Sequence, residues 1–278
     1  MTSLKPLWFV TGATGGVGLA LARHLAGQGA ELLLTARNPL TLEQTASDLE
    51  ALGGKVSWMP TDAAVLAQAE PLADWVRQKL STRGPQAQLA GVVHASGLVS
   101  WKPQLTADGF DLALQVNALF PILLNLKLRN QLKASRLLLV AGAAGTLRGE
   151  KAPLTNLTEA LENHSRLPAL RGAVLAAWSK VLHAGAWARQ GKAIWAFHPG
   201  FLRTGMTKTA PWPIRLAGAL ANPLLGTRSR EGEFLIDSPE ALALSGSLVE
   251  GRKPALTPGD EATVFQATLE TTVLARWV

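Results

Sequence analysis

There is no cysteine and no tyrosine anywhere in this sequence. The first absence excludes disulfides, thiolate metal sites and a cysteine nucleophile, and it is compatible with a reducing compartment. The second removes every phenol that could hold a proton beside a reacting oxygen, although nine Trp and seven Phe are present. Long apolar runs are missing too: none approaches the roughly 20 residues a membrane-spanning helix needs. No charged-then-apolar leader with a small-residue cleavage site stands ahead of the first apolar segment, so a cytoplasmic location is the expectation. The formal charge of +7 suits an anionic cofactor, nucleic acid or anionic lipid. The basic residues are spread along the chain, and no Lys/Arg cluster is interleaved with aromatics, which disfavours nucleic acid. No set of His, Asp and Glu has metal-ligand spacing, so no metal is expected.

What is present is a chain with 47% hydrophobic residues, enough for a substantial core, in which strand-length apolar runs alternate with helical patterns. The organising stretch is Thr11-Gly12-Ala13-Thr14-Gly15-Gly16-Val17-Gly18. It follows the apolar run Leu7–Val10 and precedes a helical pattern at Val17, Leu21 and Leu25. Strand, glycine turn and helix in that order form a candidate phosphate site. Glycine lets a pyrophosphate approach the main chain, and the helix offers unpaired N–H groups and the positive end of its dipole.

Further strands are expected at Glu31–Thr35, Val56–Met59, Leu89–Ala95, Arg136–Val140 and Ala193–Phe197. Helices are expected at Leu42–Leu52, Glu70–Leu80, Asp108–Arg129 and Leu170–Arg189. Repeated β-then-α with apolar strands implies a doubly wound, Rossmann-type α/β fold: a parallel sheet of about seven strands with helices on both faces. No linker divides residues 1–278, so one domain is expected. Two segments interrupt the rhythm, an insertion at 146–168 and the stretch 208–230. Both follow carboxyl ends of strands, where such sheets bind ligands. The second, with Pro211-Trp212-Pro213 and Ile214, Leu216, Leu220, Leu224 and Leu225, reads as a lid or substrate wall, the alternative being a membrane contact.

With these motifs in order, nearly the whole chain resembles the short-chain dehydrogenase/reductase family. Thr11-Gly12-x-x-x-Gly16-x-Gly18 matches that family's cofactor loop, and Asp62 the acid that contacts adenine. Ala95-Ser96-Gly97 stands where the family has Asn-Ala-Gly, and Asn117 at its helix asparagine. Ser179-Lys180 matches the end of Tyr-x-x-x-Lys, and His198-Pro199-Gly200 with Thr204 the loop around the nicotinamide. The insertion before Lys180 and the tail motifs Glu231-Gly232-Glu233 and Ser245-Gly246-Ser247 resemble the retinol-dehydrogenase-like branch. The resemblance implies an oxidoreductase holding a nicotinamide cofactor through Gly12, Thr14, Gly15, Gly16, Val17, Gly18, Asp62, Ala95, Ser96, Gly97, Lys180, Pro199, Gly200 and Thr204. It also implies a homo-dimer or homo-tetramer formed through the two long helices. Stable membrane insertion is not expected.

Cofactor choice follows from charge. An acid ending the second strand would bond ribose hydroxyls and repel a 2′-phosphate. Here the strand ends Thr35-Ala36-Arg37, and Arg37 is placed to pair with a phosphate dianion, so NADP(H) is expected.

The resemblance breaks at the chemistry. Lys180 fixes the tyrosine position four residues earlier, on the same helix face, and that residue is Ala176. The serine position falls on Gly142, in the run Val140-Ala141-Gly142-Ala143-Ala144-Gly145, which holds no hydroxyl. Candidates for the missing proton path are His94, Ser96, His198, Glu162, His164 and Lys180 itself, with Asn117 in its family role. Trp101 and Trp178 read as pocket walls. Two classes of function remain: an NADP(H)-dependent oxidoreductase for a carbonyl/alcohol, enone or imine with a non-standard proton donor, or a non-catalytic NADP(H)-binding sensor or scaffold. Non-redox chemistry on the same fold is a third.

Overall fold

The computed structural model describes residues 4–85, 87–142, 171–200, 210–221 and 226–278. Eight strands form one sheet in the order β3-β2-β1-β4-β5-β6-β7-β8. They are β1 Leu7–Thr11, β2 Glu31–Ala36, β3 Lys55–Pro60, β4 Gly91–His94, β5 Arg136–Val140, β6 Ala193–Phe197, β7 Leu248–Glu250 and β8 Lys253–Leu256. All neighbours are parallel except β7 and β8. The described helices are α1 Gly16–Gly27, α2 Pro39–Glu50, α3 Ala69–Ser81, α4 Leu112–Leu114, α5 Phe120–Lys127, α6 Arg171–Ala188, α7 Trp212–Ala221, α8 Arg230–Asp237 and α9 Glu261–Thr268.

The strands are apolar on both faces because both faces are covered. In β2, Leu33 joins a core layer with α3, α5 and α6, while Leu32 and Leu34 join the opposite layer with α1 and α2. Each such fully buried leucine contributes roughly 1.5–3 kcal/mol.

Three features depart from expectation. The eighth strand closes the sheet as a hairpin through Gly251 (φ 59°) and Arg252 (φ 60°); two consecutive left-handed residues fit the tight primed turn that joins antiparallel strands. The helix expected over 108–129 begins only at Leu112, where the Asp111 carboxylate caps it by accepting from Leu114 N at 3.0 Å. It then passes through a π-type turn, Gln115–Leu119, before α5, as often happens where a helix serves a functional site. The long α6 is buried over most of its length. Phe265, Leu269, Val273 and Leu274 of the C-terminal segment share its core layer, and a Cβ at Gly185 would lie 2.3 Å from Pro258. The chain's own tail therefore packs on the helix expected to mediate assembly.

Candidate functional site

The strand order runs β3-β2-β1 one way and β4-β5-β6 the other, so the crevice between the carboxyl ends of β1 and β4 is the topological switch point, where such sheets bind ligands. An open cleft of about 220 Å³ lies there, at the kind of position where cofactor sites preferentially form. Among the residues expected to hold a cofactor, Gly12, Thr14, Gly15, Arg37, Asp62, Ala95, Ser96 and Gly97 all line it.

The glycines have specific jobs. Gly12 has φ +66°, and a Cβ there would sit 2.5 Å from Ser96 N and 2.7 Å from Ala95 O. The glycine turn is thus pressed against the chain leaving β4, and Ala95 N donates to Thr11 O at 3.2 Å. A Cβ on Gly18 would lie 2.3 Å from Gly12 O, so α1 and the turn are packed backbone to backbone. Gly16 opens α1, and Val17 and Gly18 are buried beneath the turn. Gly15 precedes α1 in extended conformation (φ −93°, ψ 164°) without any side-chain cap. The first N–H groups of α1 are left for a ligand, and the helix dipole favours an anion there.

Around the rim, Arg37 is exposed, at the end of β2 and the mouth of the cleft. Asp62 is braced by two local bonds: its N–H donates to Gln68 Oε1 at 2.7 Å, and its Oδ1 accepts from Ala64 N at 3.0 Å. Two residues that sequence reasoning missed complete the wall, Thr35 and Thr61. Their buried hydroxyls have no hydrogen-bond partner among the described residues. Unsatisfied buried hydroxyls are uncommon, and both belong to residues that line the cleft. Threonine at a strand end carries no sequence signal beyond β-propensity.

Asn117, in the π-type turn, clamps the loop after β4: its Nδ2 donates to Leu98 O and its Oδ1 accepts from Leu98 N, both at 2.8 Å. Lys180 is buried on α6 and its ammonium donates to Val140 O at the end of β5. Burial pushes its pKa down to about 7. Ala176, one turn earlier, is wholly buried in the core layer of α5 and α6, and Gly142 lies just beyond β5, half-buried. Neither Lys180 nor Ala176 lines the cleft described above.

His94 points away from that cleft, on the face of β4 that carries Val92, and it starts a buried polar chain. His94 Nε2 lies 2.8 Å from Asn125 Oδ1 on α5, and Asn125 Nδ2 lies 3.2 Å from His183 Nε2 on α6. His183 Nδ1 lies 2.7 Å from Gln266 Oε1 on α9. Gln266 Nε2 donates to Glu270 Oε1 at 2.7 Å, and Glu270 pairs with Arg129 at 3.0 Å. The amide orientations fix the tautomers: His94 carries its proton on Nε2 and His183 on Nδ1. Burial pushes both imidazoles down to about 4, so both are neutral at pH 7.

The remaining candidates act as fasteners or lie elsewhere. Ser229 Oγ donates to Pro199 O at 3.2 Å, and Gly200 adopts φ +82° with its Cβ position 3.5 Å from Glu231 Oε2. The tail motifs are structural: Glu233 pairs with Arg228 at 2.6 Å, and Ser245 Oγ donates to Lys192 O at 2.9 Å. Ser179 Oγ is spent on Leu175 O within α6. Trp178 packs beside Ala141 and Leu248, and Trp101 is half-buried in the loop after β4. Thr204, Glu162, His164, the insertion 146–168 and parts of 208–230 lie outside the described residues. Among the described residues no group of three His, Asp or Glu could hold a metal ion, and no helix is long and apolar enough to cross a membrane.

Comparison with known proteins points the same way. Residues 7–137 match the family model described as short chain dehydrogenase. The human dehydrogenase/reductase SDR family member 13 is 34% identical over 49% of this chain and 35% of its own length. Human retinol dehydrogenase 12 is 28% identical over 88% of this chain and 74% of its own. The first curated relatives are covered over only 23–46% of their length. Among solved structures, a 3-oxoacyl-[acyl-carrier protein] reductase from Brucella melitensis in complex with NAD superposes with a TM-score of 0.65. It is 19% identical, with 89% of this chain and 96% of that one covered.

Proposed function

We propose that this chain, which matches the short chain dehydrogenase model over residues 7–137, is a short-chain dehydrogenase/reductase that binds NADP(H) in the cleft above β1 and β4. One observation carries the reading. Arg37, a guanidinium with no partner among the described residues, stands at the mouth of a cleft whose floor is the uncapped N-terminus of α1. The helix end takes the pyrophosphate, Arg37 takes the 2′-phosphate bidentately, and no acid at the end of β2 opposes it. Asp62, on the wall of the cleft, offers polar contacts to the adenosine half. Asn117 holds the Ala95–Leu98 loop in place. In this reading the nicotinamide half runs on from the cleft toward the end of β5, where Lys180 spends one donor on Val140 O and offers the rest of its amine to the ribose. Thr14 lines the same cleft, and the family resemblance adds Pro199, Gly200 and Thr204 to the cofactor contacts.

The cofactor supplies a hydride, and the residues around it decide what can accept one. With Ala176 and Gly142 in the places of the tyrosine and serine, those two positions contribute no hydroxyl acid. That forfeits roughly 10²–10⁴-fold from proton transfer and further stabilisation of a developing oxyanion. In this reading the accepted substrates are those that ask little of a protein acid, an enone or an iminium rather than a plain ketone. His94 is a positioning residue, because its one N–H is already committed to Asn125. A second reading, a non-catalytic NADP(H)-binding sensor or scaffold, is favoured by the complete burial of Ala176, which leaves no side chain to present to a substrate.

The test is to mix protein with NADPH and a panel of ketones, aldehydes, enones and imines while following absorbance of the reduced cofactor. Turnover confined to the activated substrates supports the first reading. Tight NADPH binding without turnover, with carbonyl reduction appearing in Gly142→Ser/Ala176→Tyr, supports the second. Brisk reduction of plain ketones by the unaltered protein overturns both.

A further inference from the structure

Between Glu162 and Glu231 the chain carries ten Lys and Arg and not one Asp or Glu. Of the ten, Lys180 is buried, and Arg189 and Arg228 face the carboxylates of Asp260 and Glu233. Within the stretch lies α7, which carries an exposed apolar stripe. Trp212, Leu216 and Leu220 are spaced by four, so they form one stripe along the helix, and they are 72%, 54% and 71% exposed. Pro211 and Pro213 flank the tryptophan and are exposed as well. Arg215 lies exposed on the same helix, and exposed Arg230 follows it in the chain. An apolar stripe of this kind is a feature monomeric surfaces normally avoid.

We propose that α7 is an interfacial helix that docks this protein on an anionic bilayer surface. The pieces fit that occupant chemically. Tryptophan settles at the headgroup level, the two leucines enter the acyl boundary, and the cations meet the negative surface potential. A purely apolar partner would leave Arg215, exposed on the same helix as the stripe, without a role. A helix of ten residues is too short to span a bilayer, so the contact is peripheral.

The experiment is co-sedimentation of the full chain, without cofactor, with phosphatidylcholine vesicles that contain or lack about one quarter phosphatidylglycerol. Salt is set at about 0.1 M and about 0.5 M, because screening separates charge from apolar burial. The variants are Trp212→Ser/Leu216→Ser/Leu220→Ser and, separately, Arg215→Glu. The removed side chains are exposed, so urea midpoints should match the unaltered protein. The expected result is binding to the anionic vesicles that weakens at least about tenfold in the triple variant, and measurably in Arg215→Glu, at high salt and on neutral vesicles. Absence of binding, or binding unaffected by either variant, overturns the proposal. So does sedimentation equilibrium showing a dimer that dissociates in the triple variant, since a second copy would then cover the stripe. NADPH affinity, measured separately, tells this failure apart from failure of the cofactor assignment.

Discussion

The buried chain from His94 to Arg129 makes acid a specific weapon against this fold. Both imidazoles titrate near 4 in the native state and near 6.5 once unfolded. Between those values the unfolded chain binds protons the native one refuses, so native stability falls as pH drops from about 6.5 to about 4. Protonation would also turn His183 Nε2, which accepts from Asn125 Nδ2, into a donor facing a donor. From pH 7.5 to 5.5 each histidine should cost about 1.3 kcal/mol, so the pair costs on the order of 2–3 kcal/mol. Urea denaturation of the unaltered protein and of His94→Gln/His183→Gln, at a series of pH values in that window, isolates the effect. The variant starts from lower stability because it breaks buried bonds, but its pH slope should be flatter by that amount. Parallel slopes would refute the assignment of neutral, network-bound histidines.

Other variants probe single contacts. Gly172→Ala would place a Cβ 1.9 Å from Asp111 Oδ1, displacing the buried carboxylate that caps α4. It should cost roughly 2–4 kcal/mol by thermal or urea unfolding, whereas Gly27→Ala, with open space around it, should be neutral or slightly stabilising. Gly12→Ala is strained by its positive φ and collides with Ala95 and Ser96 backbone; it should abolish NADPH binding, read by fluorescence titration. For Lys180, the native pKa of about 7 against an ordinary 10.5 means that the unfolded state alone holds the proton in between. Stability should therefore rise by about 1.6 kcal/mol from pH 7 to 8.5, a rise absent from Lys180→Met.

Much of this structure was legible in the residues. Arg136–Val140 and Ala193–Phe197 appear at their expected bounds, because short apolar runs between polar turns leave little choice. The glycine turn was legible since only glycine fits where Gly12 and Gly18 meet neighbouring backbone. The C-terminal hairpin was not: its strands are three and four residues long, too short for periodicity, and Pro254 argues against a strand except at an edge. The break in the long helix at Gln115–Leu119 was hidden too, since Val116, Ala118 and Leu119 suit an uninterrupted helix equally well. Nothing local marks the His94–Asn125–His183–Gln266 chain, whose members stand tens of residues apart and meet only after the sheet has formed. The tail motifs, legible as a family resemblance, acquire a physical meaning as local fasteners: Ser245 ties down the start of β6, and Glu233 holds Arg228.

The central claim rests on Arg37 and is best tested by cofactor titration. Fluorescence or calorimetric binding of NADPH and NADH to the unaltered protein and to Arg37→Ala measures it directly. A charge-assisted bond to the 2′-phosphate is worth about 1.5–3 kcal/mol, so NADPH should bind at least about tenfold tighter than NADH, and Arg37→Ala should erase that preference while leaving NADH affinity nearly unchanged. Equal affinity for the two cofactors in the unaltered protein, or a preference that survives Arg37→Ala, would contradict the account.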